Sequence, residues 1–330
     1  MKFMILFSLP FISILGFFFK PDTPAKEQFS TNAVRELTDL KSIKYAQNLT
    51  DWRGRPVDSL VLDLYYPTGA TSRKQYPLII FCHGGGFSAG NRWNVMAIAD
   101  RLADEGFIVA AFDYRVGYNR GNGNCTADSL GLVNAVYRAM QDCNACLRFL
   151  NANGDKYNID TSNMFLGGTS AGASLAINDA YTNDDVAETY WPAQYQQLGS
   201  LQSTGNNFPA TYKVKGLISM WGAMMTDPNL VINNNLYPTI MFKGDEDGGI
   251  PDSVGHFSDC PNYPLMYAGV SIYNRLVEVD DPAVFYVLPQ GNHPAYDNQF
   301  CAQQSACFLR AIMKGKPYGG MYSGYEPSCQ

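Results

Sequence analysis

Histidine is scarce in this chain: 330 residues hold only His83, His256 and His293. Any imidazole that moves protons near neutral pH is one of these three. Basic runs are absent too. With a net charge of −6, the chain is a poor partner for nucleic acid. There is no internal repeat and no low-complexity tract, so neither a solenoid nor a disordered linker is indicated. Cys143-x-x-Cys146 has no further Cys or His nearby at zinc-site spacing. A thioredoxin-like context is missing as well, and the pair reads as packing or disulfide residues on one helix face. No metal or organic cofactor is expected.

What is present is a packed globular chain. Hydrophobic residues make up 46% and aromatic residues 13%, which indicates a packed core, and 330 residues are ample for one large α/β domain, although length alone would allow two. Most of the 21 tyrosines and four tryptophans are expected in packing, with some free to line a substrate groove. Residues 1–20 read as a secretory signal peptide. Lys2 leads an apolar run, Phe3 to Phe19, that is short for a membrane span and contains Pro10. An uncleaved anchor is the alternative, because no Ala-x-Ala cleavage site is evident. A secreted or periplasmic protein follows, with no stable membrane insertion after cleavage and residues 21–330 as the folded domain. Eight cysteines fit an oxidising compartment. Among the pairings, Cys260 with Cys301 would staple one wall of the site described next, and Cys329 would pin the tail.

Three strand-like runs are each followed by a chemically loaded loop. Met164–Gly167 leads into Gly168-Thr169-Ser170-Ala171-Gly172 and then the helix-like Ala173–Ile177. A serine between glycines at a strand-to-helix turn is held strained, with its hydroxyl exposed. Tyr76–Cys82 leads into His83-Gly84-Gly85-Gly86-Phe87, where bare backbone N–H groups can approach a developing oxyanion. Tyr237–Phe242 precedes a loop with three competing acids, Asp245, Glu246 and Asp247. Ala283–Leu288 precedes Gly291-Asn292-His293. His83 belongs to the glycine loop, and His256 has no strand before it. His293 is therefore the expected base, in the order serine, acid, histidine.

These motifs resemble the α/β-hydrolase superfamily over roughly residues 45–315. The resemblance is closest to its carboxylesterase and hormone-sensitive-lipase-like branch, whose layout bacterial feruloyl- and acetylxylan-esterase-like proteins share. It implies an α/β-hydrolase fold, with a mostly parallel sheet, helices on both faces and an N-terminal antiparallel hairpin. It also implies oxyanion N–H groups from Gly85, Gly86 and Ala171. By the register of the family's acid motif, Asp247 is the acid. Lys243 stands where the family usually has histidine. Tyr114-Arg115 and Gln141-Asp142 match structural pairs of the family, and an Arg115–Asp142 ion pair is expected.

Elsewhere the pattern predicts a hairpin over 41–48 and 59–66, helices over 95–105 and 130–150, and strands over 107–112 and 214–220. The insertion at 182–213, with Tyr190, Trp191, Pro192 and Tyr195, reads as a lid or as a passive excursion. Phe87 and Trp221 are candidates for an acyl pocket, with plain core packing as the alternative. The expected chemistry is acyl transfer through Ser170, His293 and Asp247. The expected substrate is a small-molecule or polysaccharide-linked ester with a short-chain or aromatic acyl group, such as acetyl or feruloyl. A peptidase of the same fold and a non-catalytic binding protein are the competing readings.

Overall fold

Continuous apolar runs become buried parallel strands when helices cover both faces of a sheet. The chain follows that rule. The computed structural model describes residues 34–122, 125–233 and 235–329, so the signal-peptide reading of residues 1–20 lies outside the described residues. Every element below belongs to the compact unit Arg35–Gln330.

The N-terminal hairpin pairs β1 (Leu40–Thr50) with β2 (Pro56–Tyr65) antiparallel. Then come β3 (Tyr76–Cys82), α1 (Met96–Asp104), β4 (Ile108–Phe112), α2 (Ser129–Ala152) and α3 (Gly154–Tyr157). The centre of the chain is β5 (Ile159–Thr169), α4 (Ala171–Tyr181), α5 (Asp184–Tyr190) and α6 (Pro192–Leu198). β6 (Val214–Met220), β7 (Ala223–Met224), α7 (Pro228–Val231) and β8 (Thr239–Gly244) follow. Last are β9 (Val254–His256), β10 (Leu265–Ala268), α8 (Gly269–Glu278), β11 (Ala283–Leu288), α9 (Asn298–Met313) and β12 (Gly320–Ser323).

Nine strands form one sheet in the order β1-β2-β4-β3-β5-β6-β8-β11-β12, parallel from β4 to β12. A small sheet, β7-β10-β9, stands apart. Alternation within β3 sends Leu78, Ile80 and Cys82 to one face and Ile79 and Phe81 to the other. The first face packs on α2, α4 and α8, and the second on α1 and α9. Many tyrosines are indeed packing residues. Tyr286 stacks on Phe242 at 5.1 Å and on Tyr322 at 5.2 Å.

One detail extends the sequence reading and one departs from it. The Gly- and Tyr-rich tail adds β12 as an edge strand beside β11, and Cys329 joins Cys307 of α9. The Cys260–Cys301 pairing is not formed. Cys260 bonds Cys125, while Cys301 is a buried free thiol packed in the core by α9. Cys143 and Cys146 are also free and buried. Among the described residues, no helix is long and apolar enough to cross a membrane.

The 182–213 segment forms α5, α6 and a coil strapped to α2. Buried Arg148 reaches Gln202 Oε1 at 2.7 Å and the Thr204 carbonyl at 2.6 Å, and Gln141 donates to the Leu198 carbonyl at 2.8 Å. Removing the segment would orphan these buried donors, which is costly.

Candidate active site

Parallel strands present their C-terminal ends together, so loops following neighbouring strands meet at one sheet edge. Ser170 follows β5, the middle strand of nine. Its backbone sits at φ 54°, ψ −122°, a left-sided conformation that non-glycine residues rarely adopt. The flanking glycines make the turn possible by close approach. A Cβ on Gly168 would lie 2.6 Å from the Cys82 carbonyl oxygen, and one on Gly172 would run into the same carbonyl.

His293 follows β11, and Asp247 follows β8. His293 Nε2 lies 2.8 Å from Ser170 Oγ, and His293 Nδ1 lies 2.8 Å from Asp247 Oδ2. An ionised carboxylate only accepts, so Nδ1 carries the hydrogen and Nε2 is left to accept from the Ser170 hydroxyl. Burial pushes the Asp247 carboxyl up. Hydrogen bonds from His293 and from the Ile250 and Gly249 N–H groups outweigh it and hold the carboxyl below its ordinary range. Of the three competing acids, Asp245 and Glu246 are exposed, whereas the Asp247 side chain is buried against the imidazole. Their backbone N–H groups stitch the acid loop to the next strand end, Asp245 to the Leu288 carbonyl and Glu246 to the Gly291 carbonyl. Lys243 is buried and binds the Ile250 carbonyl and Asp252, bracing the far side of the same loop.

The glycine loop follows β3, next to β5. Gly85 and Gly86 have φ of +119° and +59°, values that glycine tolerates. Among the described residues, the N–H groups of Gly85, Gly86 and Ala171 donate to no carbonyl or side chain. Tyr114 supports the base of the loop. Its hydroxyl donates to the His83 carbonyl at 2.7 Å, and its ring stacks on the His83 imidazole at 4.1 Å. His83 therefore stays in the loop scaffold, and His256 is tied to the Tyr263 carbonyl. Arg115 and Asp142 form the expected buried ion pair, at 2.8 Å. A second buried cation, Arg92, bridges Asp63 of the hairpin and Asp113 at 2.9 and 2.6 Å. Its single arginine gave no sequence signal.

Beside Ser170 lies a small apolar cavity of about 20 Å³. Phe87 lines it together with Tyr118, Leu132, Met225, Ile250 and Met266. Trp221 does not; its ring packs edge-on against the His293 imidazole at 6.2 Å. No lining residue comes from 182–213.

The same fold recurs in solved structures. Thermogutta terrifontis esterase 2 phosphorylated by paraoxon superposes with a TM-score of 0.58, covering 85% of this chain and 96% of that one at 16% identity. A truncated form of a carbohydrate esterase from gut microbiota gives 0.57 over 84% and 97%, also at 16% identity. The chain has the α/β-hydrolase fold. The BD-FAE family model matches residues 62–224 of this chain. By sequence it resembles gut esterase 1 of Caenorhabditis briggsae, 30% identical over 132 residues, 38% of this chain and 22% of that protein. It also resembles a probable isoprenylcysteine alpha-carbonyl methylesterase, ICMEL1, of Oryza sativa subsp. japonica, 32% identical over 116 residues, 35% of this chain and 23% of that one. The chain thus spans about a quarter of the length of the curated relatives it matches.

Proposed function

We propose that this α/β-hydrolase is a secreted serine carboxylic-ester hydrolase that removes short acyl groups, acetyl foremost, through an acyl-enzyme. Ser170 Oγ adds to the ester carbonyl as His293 Nε2 takes its proton. The Oγ–C bond forms, the bond to the alkoxy oxygen breaks, and His293 returns the proton to the departing alcohol. Water then attacks the acyl-enzyme with His293 again as base, freeing the acid and the serine. Asp247 keeps the hydrogen on Nδ1 and stabilises the transient imidazolium. The unpaired N–H groups of Gly85, Gly86 and Ala171 receive the oxyanion.

The observation that carries this reading is the continuous Ser170–His293–Asp247 hydrogen-bond chain, with 2.8 Å at each link. The cavity beside it has room for about one water-sized group. That favours a methyl group over the aromatic ring of a feruloyl ester. The likeness to esterases and a carbohydrate esterase, together with the disulfides, favours acetylated polysaccharide outside the cell as the substrate.

The test is hydrolysis of p-nitrophenyl acetate, acetylated xylan, methyl ferulate and a peptidyl nitroanilide by the wild type and by Ser170→Ala. Turnover of both acetyl esters is expected to fall by about 10⁴-fold or more in the variant. Cleavage of the anilide in preference to the esters would make it a peptidase, and equal activity of the variant would refute the scheme.

A further inference from the structure

A second, larger hollow adjoins the cavity at Ser170, sharing one lining residue with it. It measures 350 Å³ and opens to solvent. Its walls come from α2, from the 182–213 segment through Tyr190 and Trp191, and from β10 through Leu265 and Tyr267. Tyr190, Leu230 and Leu265 in these walls are large apolar side chains left 41–49% exposed. One residue, Met225, lines both hollows.

The main chain at Met225 is fixed. Its N–H donates to Asn178 Oδ1 at 3.0 Å, and Asn178 Nδ2 donates to the Ala223 carbonyl at 3.3 Å. Ala223 N–H in turn donates to Ser174 Oγ at 3.0 Å. Both anchors, Ser174 and Asn178, lie on α4, the helix that begins beside Ser170. The segment holding Met225, just after β7, is therefore tied to the helix that begins beside Ser170, and Met225 is the lining residue the two hollows share. Methionine is unbranched and adaptable, so its length, not a rigid wall, sets where the inner cavity ends.

Resting on the esterase reading above, the geometry points to Met225 as the residue that sets acyl length. It closes the inner cavity behind an acetyl-sized group, and the cleft behind it, part apolar and rimmed by Gln194, Thr226 and Asp227, takes a longer acyl chain along its apolar wall once the side chain is shortened. Shortening it merges the two spaces and lets added methylenes leave water, whereas a bulkier side chain deepens the restriction.

The experiment compares kcat/KM for p-nitrophenyl acetate and octanoate in wild type, Met225→Ala and Met225→Phe. A second series keeps the acetyl group and varies the leaving alcohol. Labelling of Ser170 by a small fluorophosphonate reports a folded, competent site in every variant. Wild type is expected to prefer acetate by about ten-fold or more, and Met225→Ala to raise the octanoate-to-acetate ratio by about ten-fold or more. Met225→Phe lowers that ratio, and the alcohol series keeps its order. An unchanged acyl ratio in a labelled Met225→Ala protein would overturn the assignment, as would a change confined to the alcohol series. A wild type that neither labels at Ser170 nor cleaves acetate would instead sink the esterase reading beneath it.

Discussion

Ser170 bears the strained backbone of the elbow. A φ of 54° with ψ −122° costs roughly 1–3 kcal/mol for a residue with a Cβ. Glycine relieves it, although at ordinary sites alanine is the more stabilising of the two by about 0.4–1 kcal/mol. Ser170→Gly is therefore expected to be more stable than Ser170→Ala by about 1 kcal/mol in urea unfolding. Both lack the hydroxyl, so the comparison isolates strain, and an alanine variant as stable as glycine would contradict it. His83 makes a second residue-level prediction. Burial lowers its pKa to about 4, against the raising effect of its bond to the Gly84 carbonyl, and among the described residues Nε2 has no partner. Above pH 6.5 the ring is neutral folded or unfolded. Between 6.5 and 4 the unfolded chain binds a proton that the fold refuses, so stability falls with pH, by up to about 3 kcal/mol. In His83→Asn that part of the slope should vanish. An unchanged difference in unfolding free energy between pH 7 and pH 4.5 would refute it.

Two couplings between elements hold the site loops in place. Arg115, just after β4, is joined to Asp142 in the middle of α2, with 8% and 0% of these residues exposed. Breaking such a pair strands a buried charge, and Arg115→Ala is expected to cost about 3–5 kcal/mol. Arg115→Met with Asp142→Leu should recover much of that loss, and a double variant as unstable as the single one would show that more than the charge pair is at stake. The Cys125–Cys260 bond spans 135 residues and joins the loop before α2 to the loop before β10. Tyr118 and Phe257, near its two ends in sequence, both line the cavity at Ser170. Replacing both cysteines with serine is expected to lower stability by about 2–5 kcal/mol and raise KM for acetyl esters. Unchanged unfolding under reducing and oxidising conditions would argue against that role.

Across the whole molecule, what was legible in the sequence is what local chemistry writes there. β3, β6 and β11 run over the residues their apolar runs predicted, because buried parallel strands need such runs. Ser170, His293 and the glycine loop could be read because each follows a strand. The strand-end pattern alone did not separate the adjacent acids Asp245, Glu246 and Asp247; the register of the family's acid motif pointed to Asp247, the one whose carboxylate lies against the imidazole. The cavity was not legible. Tyr118, Met225, Ile250 and Met266 are ordinary apolar residues scattered over four loops or strands. The disulfide partners of Cys260 and Cys329 also needed the fold, because connectivity depends on which loops meet in space.

The central claim is that Ser170 becomes acylated during turnover, and rapid acid quench of the enzyme with p-nitrophenyl acetate, followed by peptide mass mapping, tests it most directly. The account predicts an acetyl group on the peptide holding Ser170, formed in a burst and absent from Ser170→Ala and His293→Ala. Steady turnover with no acetyl group on Ser170, or with the group on another side chain, would contradict it.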